Sequence, residues 1–487
     1  MSGMIELKRL LAGLVAGERI PELTVAGLAL DSRRVHRGEA FVALSGARMH
    51  GIAFLDKAVK AGATVVLHDG TAEIPADCPV PVIEVPALDS HLERLARRMW
   101  DDPAADMDLV AVTGTNGKTS VSWLLAQALG GAMIGTLGIG RPGEHRKGDM
   151  TTPDLLTMYR ELAALRQAGV RIVVMEASSH ALDQGRLAGL GFTSVIFTSL
   201  GHDHLDYHAD LEAYGRAKAR LFFEHSSSRQ LINLDDDFGQ TLASGLSAAG
   251  ACIGYSLAGH PRARVCVESI EATVEGLGAE IRIDERRVAI RSRLIGRVNL
   301  WNLLIVAAEL AARGASDAEI ADAIAGLEPV PGRMQPVRSG NDRLAVIDYA
   351  HTPDALGNAL ESLRELTPHE LWCVFGCGGD RDRAKRPRMG RIAESLADHV
   401  VLTDDNPRHE DGMSIIRAIQ AGMQRPERCL VVRDRGQAIA RALAGSTAGD
   451  VVLVAGKGHE DEQVVGDERR PFNDADCARQ ALEAATC

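Results

Sequence analysis

Residues Val110 to Ser120 read V-A-V-T-G-T-N-G-K-T-S, an apolar strand that runs directly into a glycine loop. The loop is followed by an amphipathic stretch containing Trp123, Leu124 and Leu125. A strand, a glycine turn and a helix in immediate succession restrict this part of the chain to an α/β unit. The loop composition is that of a phosphate cradle. Glycines let backbone N–H groups approach an anion, Lys118 adds a point charge, and the Thr119 hydroxyl can hold Mg²⁺. Val112 stands where the usual G-x-x-x-x-G-K-[ST] pattern opens with glycine, so the match is incomplete. Gly117-Lys118-Thr119 between a strand and a helix still points to a nucleoside triphosphate.

The strand–helix alternation continues on both sides of this loop. In the first ~100 residues the short apolar segments Ala40 to Leu44 and Thr64 to Leu67 are separated by Gly and Asp turns. A helix-like segment stops at Asp101-Asp102-Pro103, which marks a break. Strands are then expected at Arg171 to Met175, Ser194 to Thr198 and Gln230 to Asn233, with amphipathic helices between them and a mainly parallel sheet. Pro329-Val330-Pro331-Gly332 reads as a second break. Beyond it the alternation restarts at Leu344 to Asp348, Leu371 to Phe375, His399 to Thr403 and Val451 to Ala455. Each of these strands ends in a polar or glycine-bearing loop, which is where open α/β sheets bind ligands. Three domains are expected, at residues 1–104, 105–333 and 334–487. No internal repeat or low-complexity tract interrupts them.

Composition narrows the class. At 487 residues the chain exceeds one core, and 46% apolar with 25% charged residues is ordinary for a globular protein. A formal net charge of -12 argues against nucleic-acid binding through general basicity. No apolar run reaches the ~20 residues of a membrane span. Leu10 to Ala16 lacks a small-x-small cleavage site, so no secretory signal is read. Eight cysteines are too dilute for a disulfide framework, and Cys373 and Cys377 lack a second pair for zinc. Buried free thiols in a reducing, cytoplasmic compartment are expected.

Several constellations carry chemistry. Glu176, at the end of the strand from Arg171, is placed to bind Mg²⁺, while Ser178 or Ser179 behind it can cap a helix. Gly201-His202-Asp203-His204-Leu205-Asp206-Tyr207-His208 is dense enough in His and Asp to ligate a metal or manage protons. Zinc is possible on spacing, and the upstream nucleotide loop favours Mg²⁺. Lys218 lies on a helix-like segment and, on spacing alone, reads as an exposed helix lysine. Asn299 and Asn302, three apart on a starting helix, can contact a base or cap the helix. Gly332-Arg333-Met334 can set an arginine against a ribose or phosphate. In the third region, Gly376 to Asp382 with Arg381, Asp405-Asn406-Pro407-Arg408, and Gly456-Lys457-Gly458-His459-Glu460 lie on separate strand-end loops. They suit a zwitterion, with guanidinium forks for a carboxylate and Glu460 for an ammonium, or else form ordinary salt bridges.

Taken in order, T-G-T-N-G-K-T-S, E-A-S-S-H, D-H-L-D-Y-H, A-K-A-R-L, D-Y-A-H-T-P-D, F-G-C-G-G-D-R-D, T-D-D-N-P-R and A-G-K-G-H-E-D resemble the Mur ligases across residues 28 to 465. Within that family the set is most similar to the branch adding meso-diaminopimelate to UDP-N-acetylmuramoyl-L-alanyl-D-glutamate. The resemblance implies a central P-loop ATPase-like domain, an N-terminal UDP-substrate-binding α/β domain and a C-terminal Rossmann-like α/β domain. It implies ATP-dependent amide formation: a carboxylate takes the γ-phosphoryl group of ATP, and an amine attacks the resulting acyl phosphate and expels phosphate. It places Gly114, Thr115, Asn116, Gly117, Lys118, Thr119 and Ser120 on the ATP phosphates, with Asn302, Arg333 and Asp348 also on the nucleotide. Thr119 and Glu176 would hold Mg²⁺, and His204 would lie near a second metal. The lysine matching Lys218 is carboxylated by CO₂ in the family, giving a carbamate.

Leu30, Ser32, Thr151, Thr152, Ser178, Gln184 and Arg186 match positions for the UDP-sugar peptide. Arg381, Asp405, Asn406, Pro407, Arg408, Gly456 and Glu460 match positions for the amino acid. The Asp-Asn-Pro-Arg run discriminates, because lysine-adding relatives carry a different tetrad there. The chain departs from the family at Ser120, where threonine is usual, and at Gly201-His202, where Ser-Arg is more frequent. Gly46-Ala47-Arg48 also differs, so no uridine contact is assigned there. The alternatives are a ligase adding L-lysine, a folylpolyglutamate synthase-like ligase, and a nucleotide-gated binding protein without ligase chemistry. A monomer without nucleic-acid partners is expected.

Overall fold

The computed structural model describes residues 3–46, 49–75, 77–204, 207–246, 252–338 and 343–484. The chain divides into two compact units, Met1–Cys252 and Ile253–Cys487.

After a short antiparallel pair, Ile5–Glu6 with Thr24–Val25, the first unit forms a four-stranded parallel sheet in sequential order: Leu28–Ala29, Ala40–Ala43, Val65–His68 and Val82–Glu84. Ala40–Ala43 and Val65–His68 are buried throughout, as parallel strands covered on both faces must be. The helix Leu55–Ala61 packs on it through Leu55 and Ala58 and stops at Gly62, whose φ of +111° needs glycine. The helix Leu92–Trp100 ends three residues before Pro103, at the expected break. Asp101 and Asp102 adopt left-handed φ of 53° and 40°, and Asp is among the few side chains that tolerate this region.

The second sheet of this unit runs Ser227–Asn233, Phe192–Phe197, Asp108–Thr113, Ile172–Glu176, Ala132–Gly135, all parallel, with Gly138–Gly140 antiparallel at the edge. Asp108–Thr113 is central. The chain builds outward from it on one side and then crosses to the other with Phe192–Phe197. Such a reversal leaves a crevice beyond the carboxyl ends of the strands. Thr113, Glu176 and Phe197 end at that edge, with Glu176 opposite Val112 and Phe197 opposite Thr113.

The second unit contains an antiparallel meander, Val265–Thr273, Gly276–Ile283 and Arg286–Ser292. It is covered by the helices Val298–Ala312 and Asp317–Ala325, the second closed by a Ser316–Glu319 capping box. A six-stranded sheet follows in the order Gln335–Arg338, Leu344–Asp348, Val451–Ala455, Leu371–Phe375, His399–Leu402, Leu430–Val431. Only the first pairing is antiparallel. Helices cover both faces. Leu356, Leu360, Met389, Ile415 and Ile419 pack on one, and Ile439, Leu443, Ala478 and Leu482 on the other.

The strands expected from apolar runs form within one to three residues of their expected limits. The meander and the edge strand Gln335–Arg338 went unanticipated. Pro336 is compatible with the edge, where one missing N–H breaks no central ladder. The expectation of buried thiols holds for Cys266, Cys373 and Cys377. The described cysteines Cys78, Cys252, Cys429 and Cys477 are free but partly exposed. Burial pushes the Cys377 thiol up to about 12.

The last helix, Asp474–Ala484, is tied to the sheet by a fully buried fork. Arg435 Nε and Nη2 donate to Asp474 Oδ1 and Oδ2, both at 2.7 Å, and Nη2 also donates to Ala455 O at 3.0 Å. Removing one member of such a pair strands a charge in the core. Asp474→Ala should therefore cost about 3–5 kcal/mol of folding stability by denaturant titration, and Arg435→Met with Asp474→Leu should recover most of it.

Candidate functional site

The phosphate loop is shaped by two glycines. Gly114 has φ +149°, and a Cβ there would lie 1.8 Å from Thr198 Oγ1. Gly117 has φ +86° and precedes the helix Lys118–Ala128. The loop is pinned to the neighbouring strand end. Thr115 N–H donates to Ser199 O (2.7 Å), Asn116 N–H to Ser199 Oγ (3.3 Å), and Thr198 Oγ1 to Asn116 O (2.5 Å). Lys118 folds back over the loop, donating to Gly114 O (2.7 Å) and Thr115 O (2.9 Å). Thr119 and Ser120 are buried in the first helical turn.

Thr119 and Glu176 meet as expected. Thr119 Oγ1 donates to Glu176 Oε2 (2.9 Å), and Thr136 donates its N–H to Oε1 (2.7 Å) and its hydroxyl to Oε2 (3.2 Å). A Cβ at Gly135 would stand 2.3 Å from Glu176 Oε1, so the carboxylate occupies space that only glycine leaves. A hydroxyl and a carboxylate beside a phosphate loop are hard oxygen donors, a set that fits Mg²⁺. Ser178 takes the capping role, accepting from Ala181 N–H (3.2 Å).

Lys218 is not an exposed helix lysine. It is 1% exposed on the helix Leu211–Phe223, capped by Asp210. Its Nζ donates to Gly114 O (2.8 Å) and lies 4.1 Å from the centre of the Tyr214 ring. Burial, and secondarily the nearby Lys118 charge, hold the amine well below the ordinary lysine range, against the pull of Asp203. The sequence does carry a signal for this placement. Tyr214, Lys218, Leu221 and Phe222 share one buried face at helical spacing, and Gly215 leaves room for Phe238. Burial also raises the Tyr214 phenol to about 12.

His204 has a left-handed φ of 54° and lies among rings, 4.8 Å from His180 and 6.0 Å from Tyr214 between centroids. Its Nε2 is 3.5 Å from Asp203 Oδ2. Leu205 and Asp206 of the same motif, like Ala47 and Arg48, lie outside the described residues. Among the described residues, no three His, Cys, Asp or Glu side chains converge as a metal site.

The positions matched to the sugar peptide gather beside Glu176. Thr151 Oγ1 is 3.0 Å from Thr136 Oγ1, Thr152 Oγ1 donates to Glu176 O (2.6 Å), and Ser178 N–H donates to Thr152 Oγ1 (3.1 Å). Arg186 bridges Thr152 O (2.8 Å) and Gln184 Oε1 (2.6 Å), and Gln184 reaches Tyr207 OH (3.2 Å). Leu30 and Ser32 follow the strand Leu28–Ala29 of the other sheet. Arg34, in the turn that Ser32 opens, is 3.6 Å from Asp149, just before Thr151.

In the second unit, Arg333 stacks over Tyr349 (4.5 Å) beside Asp348. The Asp348 carboxyl accepts from Met334 N–H (2.7 Å) and Ala350 N–H (2.9 Å), and burial holds it above the ordinary range despite Arg333. Asn302 donates to Asn299 Oδ1 (2.8 Å), and Asn299 donates to Ile295 O (2.8 Å), so the pair secures the entry to its helix.

The Asp-Asn-Pro-Arg run is clamped by the hairpin Glu462–Val465 and Glu468–Pro471, an element the sequence reading missed. Arg408 N–H donates to Val464 O (3.0 Å), and Gly466 N–H donates to Arg408 O (2.7 Å). Arg408 holds Gly379 O through Nη1 (2.7 Å), and its Nε and Nη2 have no protein partner among the described residues. Asp405 Oδ1 accepts from Asn406 N–H (2.6 Å), and a Cβ at Gly456 would press on Asp405 Oδ2 at 2.6 Å. Pro407 is buried, Arg381 is exposed, and Glu460 accepts from Asn406 Nδ2 (2.8 Å). Arg386, also missed, forks Glu410 at 3.1 and 2.9 Å and holds its carboxyl at about 2. Glu410 in turn accepts from Asp380 N–H (2.6 Å), so it anchors the loop bearing Arg381.

A phosphate loop at a strand end, a hydroxyl–carboxylate pair and a desolvated lysine on the loop carbonyl define a nucleotide-dependent α/β enzyme. Family models of the Mur ligase middle domain match residues 112–310, of the Mur ligase glutamate ligase domain 332–458, and of the Mur ligase catalytic domain 24–100. The UDP-N-acetylmuramoyl-L-alanyl-D-glutamate–2,6-diaminopimelate ligase of Xylella fastidiosa is 45% identical over 469 residues, covering 95% of each chain. Its namesake from Xanthomonas campestris is 45% identical over 490 residues, covering 99% of this chain and 98% of the relative. A solved structure of the same description is 32% identical with a TM-score of 0.71, covering 100% of each chain. The chain belongs to the Mur ligase family and is an ATP-dependent ligase.

The depressed Lys218 amine has a checkable consequence. The unfolded lysine titrates near 10.4 and the folded one lower, so between these values the unfolded state binds more protons and stability rises with pH. In bicarbonate-free buffer, the wild type should gain stability relative to Lys218→Met as pH climbs from neutral, by up to about 1.4 kcal/mol per unit. Parallel pH curves by denaturant titration would contradict the placement.

Proposed function

We propose that this ligase adds meso-diaminopimelate to the D-glutamate γ-carboxylate of UDP-N-acetylmuramoyl-L-alanyl-D-glutamate, in peptidoglycan precursor synthesis. The observation that carries the reading is the Asp-Asn-Pro-Arg run held on a strand-end loop, with the rest of the Arg408 fork available. Diaminopimelate carries a second carboxylate at its far stereocentre, and lysine does not. A site built around that carboxylate leaves Arg408 unpaired when lysine is offered, which disfavours lysine.

Chemically, a carboxylate is a poor acyl donor. Its attack on the γ-phosphorus of ATP forms an acyl phosphate and releases ADP. The amine of diaminopimelate then attacks the acyl carbon, a tetrahedral intermediate forms, and phosphate leaves as the amide closes. Residues Gly114 to Ser120 serve the phosphates, Lys118 leaving its loop carbonyls for them. Asn302, Arg333 and Asp348 serve the rest of the nucleotide. Thr119 and Glu176 hold Mg²⁺, which when bound neutralises charge on the transferred phosphoryl, and His204 is assigned to a second ion. Leu30, Ser32, Thr151, Thr152, Ser178, Gln184 and Arg186 hold the sugar peptide. Arg381, Asp405, Asn406, Pro407, Arg408, Gly456 and Glu460 hold the amino acid.

Lys218 is assigned a carbamate. Its neutral amine attacks CO₂, the N–C bond forms, a proton leaves, and a new anion stands beside the Lys118 charge. The depressed amine and its buried contact with Gly114 O support this assignment. The three working domains are placed at residues 1–104, 105–333 and 334–487, in line with the three matched family segments. Among the described residues no helix is long and apolar enough to cross a membrane. A monomer acting in the cytoplasm, where ATP and nucleotide-linked sugars are found, completes the reading.

An amino-acid panel with phosphate release tests it: turnover should require the sugar dipeptide and favour meso-diaminopimelate over L-lysine and L-glutamate. Selective turnover with lysine or glutamate would overturn it. Arg408→Ala should raise KM for diaminopimelate about tenfold or more with KM for ATP little changed. Lys218→Ala should lower kcat by about 10²–10³, with partial return in short carboxylate buffers. Unchanged Lys218→Ala activity would remove the carbamate.

A further inference from the structure

One cation of the second unit is withdrawn from water altogether. Lys457, in the turn after the strand Val451–Ala455, has a side chain that is 0% exposed. Its Nζ donates to Asn406 Oδ1 (3.0 Å), Glu460 Oε2 (2.8 Å) and the Glu462 carbonyl (2.7 Å). All three ammonium donors are thus used inside the protein, and none is left for a ligand. The cost of burying the charge is offset by Glu460, whose side chain is 31% exposed and faces outward from the same turn.

The geometry bears most heavily on Asn406. Its Oδ1 accepts from Lys457 and also from Val464 N–H (3.0 Å), so both lone pairs are filled. With two donors on the oxygen, the amide has one orientation, and Nδ2 turns to Glu460 Oε2 (2.8 Å). What remains is one N–H of Asn406 and the Oε1 of Glu460, a donor beside an anionic acceptor. That pairing is complementary to the carboxylate and ammonium of one α-amino-acid centre.

We infer that Lys457 is the positioning residue that sets the donor–acceptor polarity of the amino-acid site, acting through Asn406 and Glu460 without touching the ligand. The inference rests on the amino-acid reading given above. Without the ammonium, the Asn406 amide can turn over and Glu460 loses its fixed counter-charge.

The test is steady-state kinetics of Lys457→Met beside the wild type, with thermal melting of both. KM for meso-diaminopimelate should rise about tenfold or more, while KM for ATP and for the sugar dipeptide, and kcat, move less than about threefold. Glu460→Gln and Lys457→Met together should raise KM for diaminopimelate by clearly less than the product of their single effects, because the two are coupled. If the methionine variant does not fold, Lys457→Gln, which retains donors and lacks the charge, is read the same way. An unchanged KM for diaminopimelate in a folded variant overturns the inference alone. So does a uniform rise in all three KM values with a lowered melting point, which marks a structural role only. No wild-type turnover with diaminopimelate overturns this inference together with the reading beneath it.

Discussion

Two lysines share one carbonyl oxygen at the head of the phosphate loop. Lys118 and Lys218 donate to Gly114 O from 2.7 and 2.8 Å, one from within the loop and one from a helix about a hundred residues further along the chain. Two full positive charges so close, with one of them buried, repel strongly in a medium of reduced dielectric. Burial first, and this repulsion second, hold the Lys218 amine well below the ordinary lysine range. The arrangement needs Gly114 at φ +149°, because any side chain there would strike Thr198 and the carbonyl could not be presented. Loop, helix and strand ends are therefore mutually dependent: the glycine frees the carbonyl, the carbonyl receives the amine, and the helix buries that amine against the loop. A phosphate chain entering the loop would offer Lys118 better acceptors, and the carbamate proposed on Lys218 would turn the repulsion into attraction.

The second unit handles charge by the opposite means. Around the Asp-Asn-Pro-Arg run, cationic side chains are spent on protein partners: Arg435 on Asp474, Arg386 on Glu410, Lys457 on Glu460. Each such pair anchors a strand-end loop or the helix behind it, so few groups are left for a ligand. Pre-organisation of this kind lowers the ordering cost of binding and makes rejection of wrong substrates steep, since a missing partner exposes an unpaired charge. The hairpin after Glu460 adds backbone pairing to the same loop, fixing Arg408 at a left-handed φ of 52°.

Much of this was legible in the sequence because apolar runs in parallel strands are continuous and their ends are marked by polar or glycine loops. Leu344–Asp348, Leu371–Phe375 and Val451–Ala455 form as read. The meander was passed over although Leu277, Ala279, Ile281 and Ile283 alternate with polar or small residues, because a reading tuned to buried parallel strands overlooks half-exposed ones. Within the site, the contact of Thr119 with Glu176 followed from strand-end logic. The burial of Lys218 did not follow from its immediate neighbours, since a lysine on a helix is ordinarily solvated, and only the face it shares with Tyr214 and Leu221 gives it away. Lys457 was named only with its loop, and its burial against Asn406, the Arg386–Glu410 fork and the pairing of the 462–471 hairpin with Arg408 went unseen because they arise from tertiary contacts.

In the proposed reaction ATP makes the glutamyl carboxylate electrophilic, and the fate of one carboxylate oxygen reports on it. With the γ-carboxylate of the sugar dipeptide labelled with ¹⁸O and with meso-diaminopimelate present, one ¹⁸O is expected in every phosphate released as the amide forms. Phosphate carrying no label from the carboxylate would mean that ATP is cleaved by water and that no acyl phosphate lies on the path.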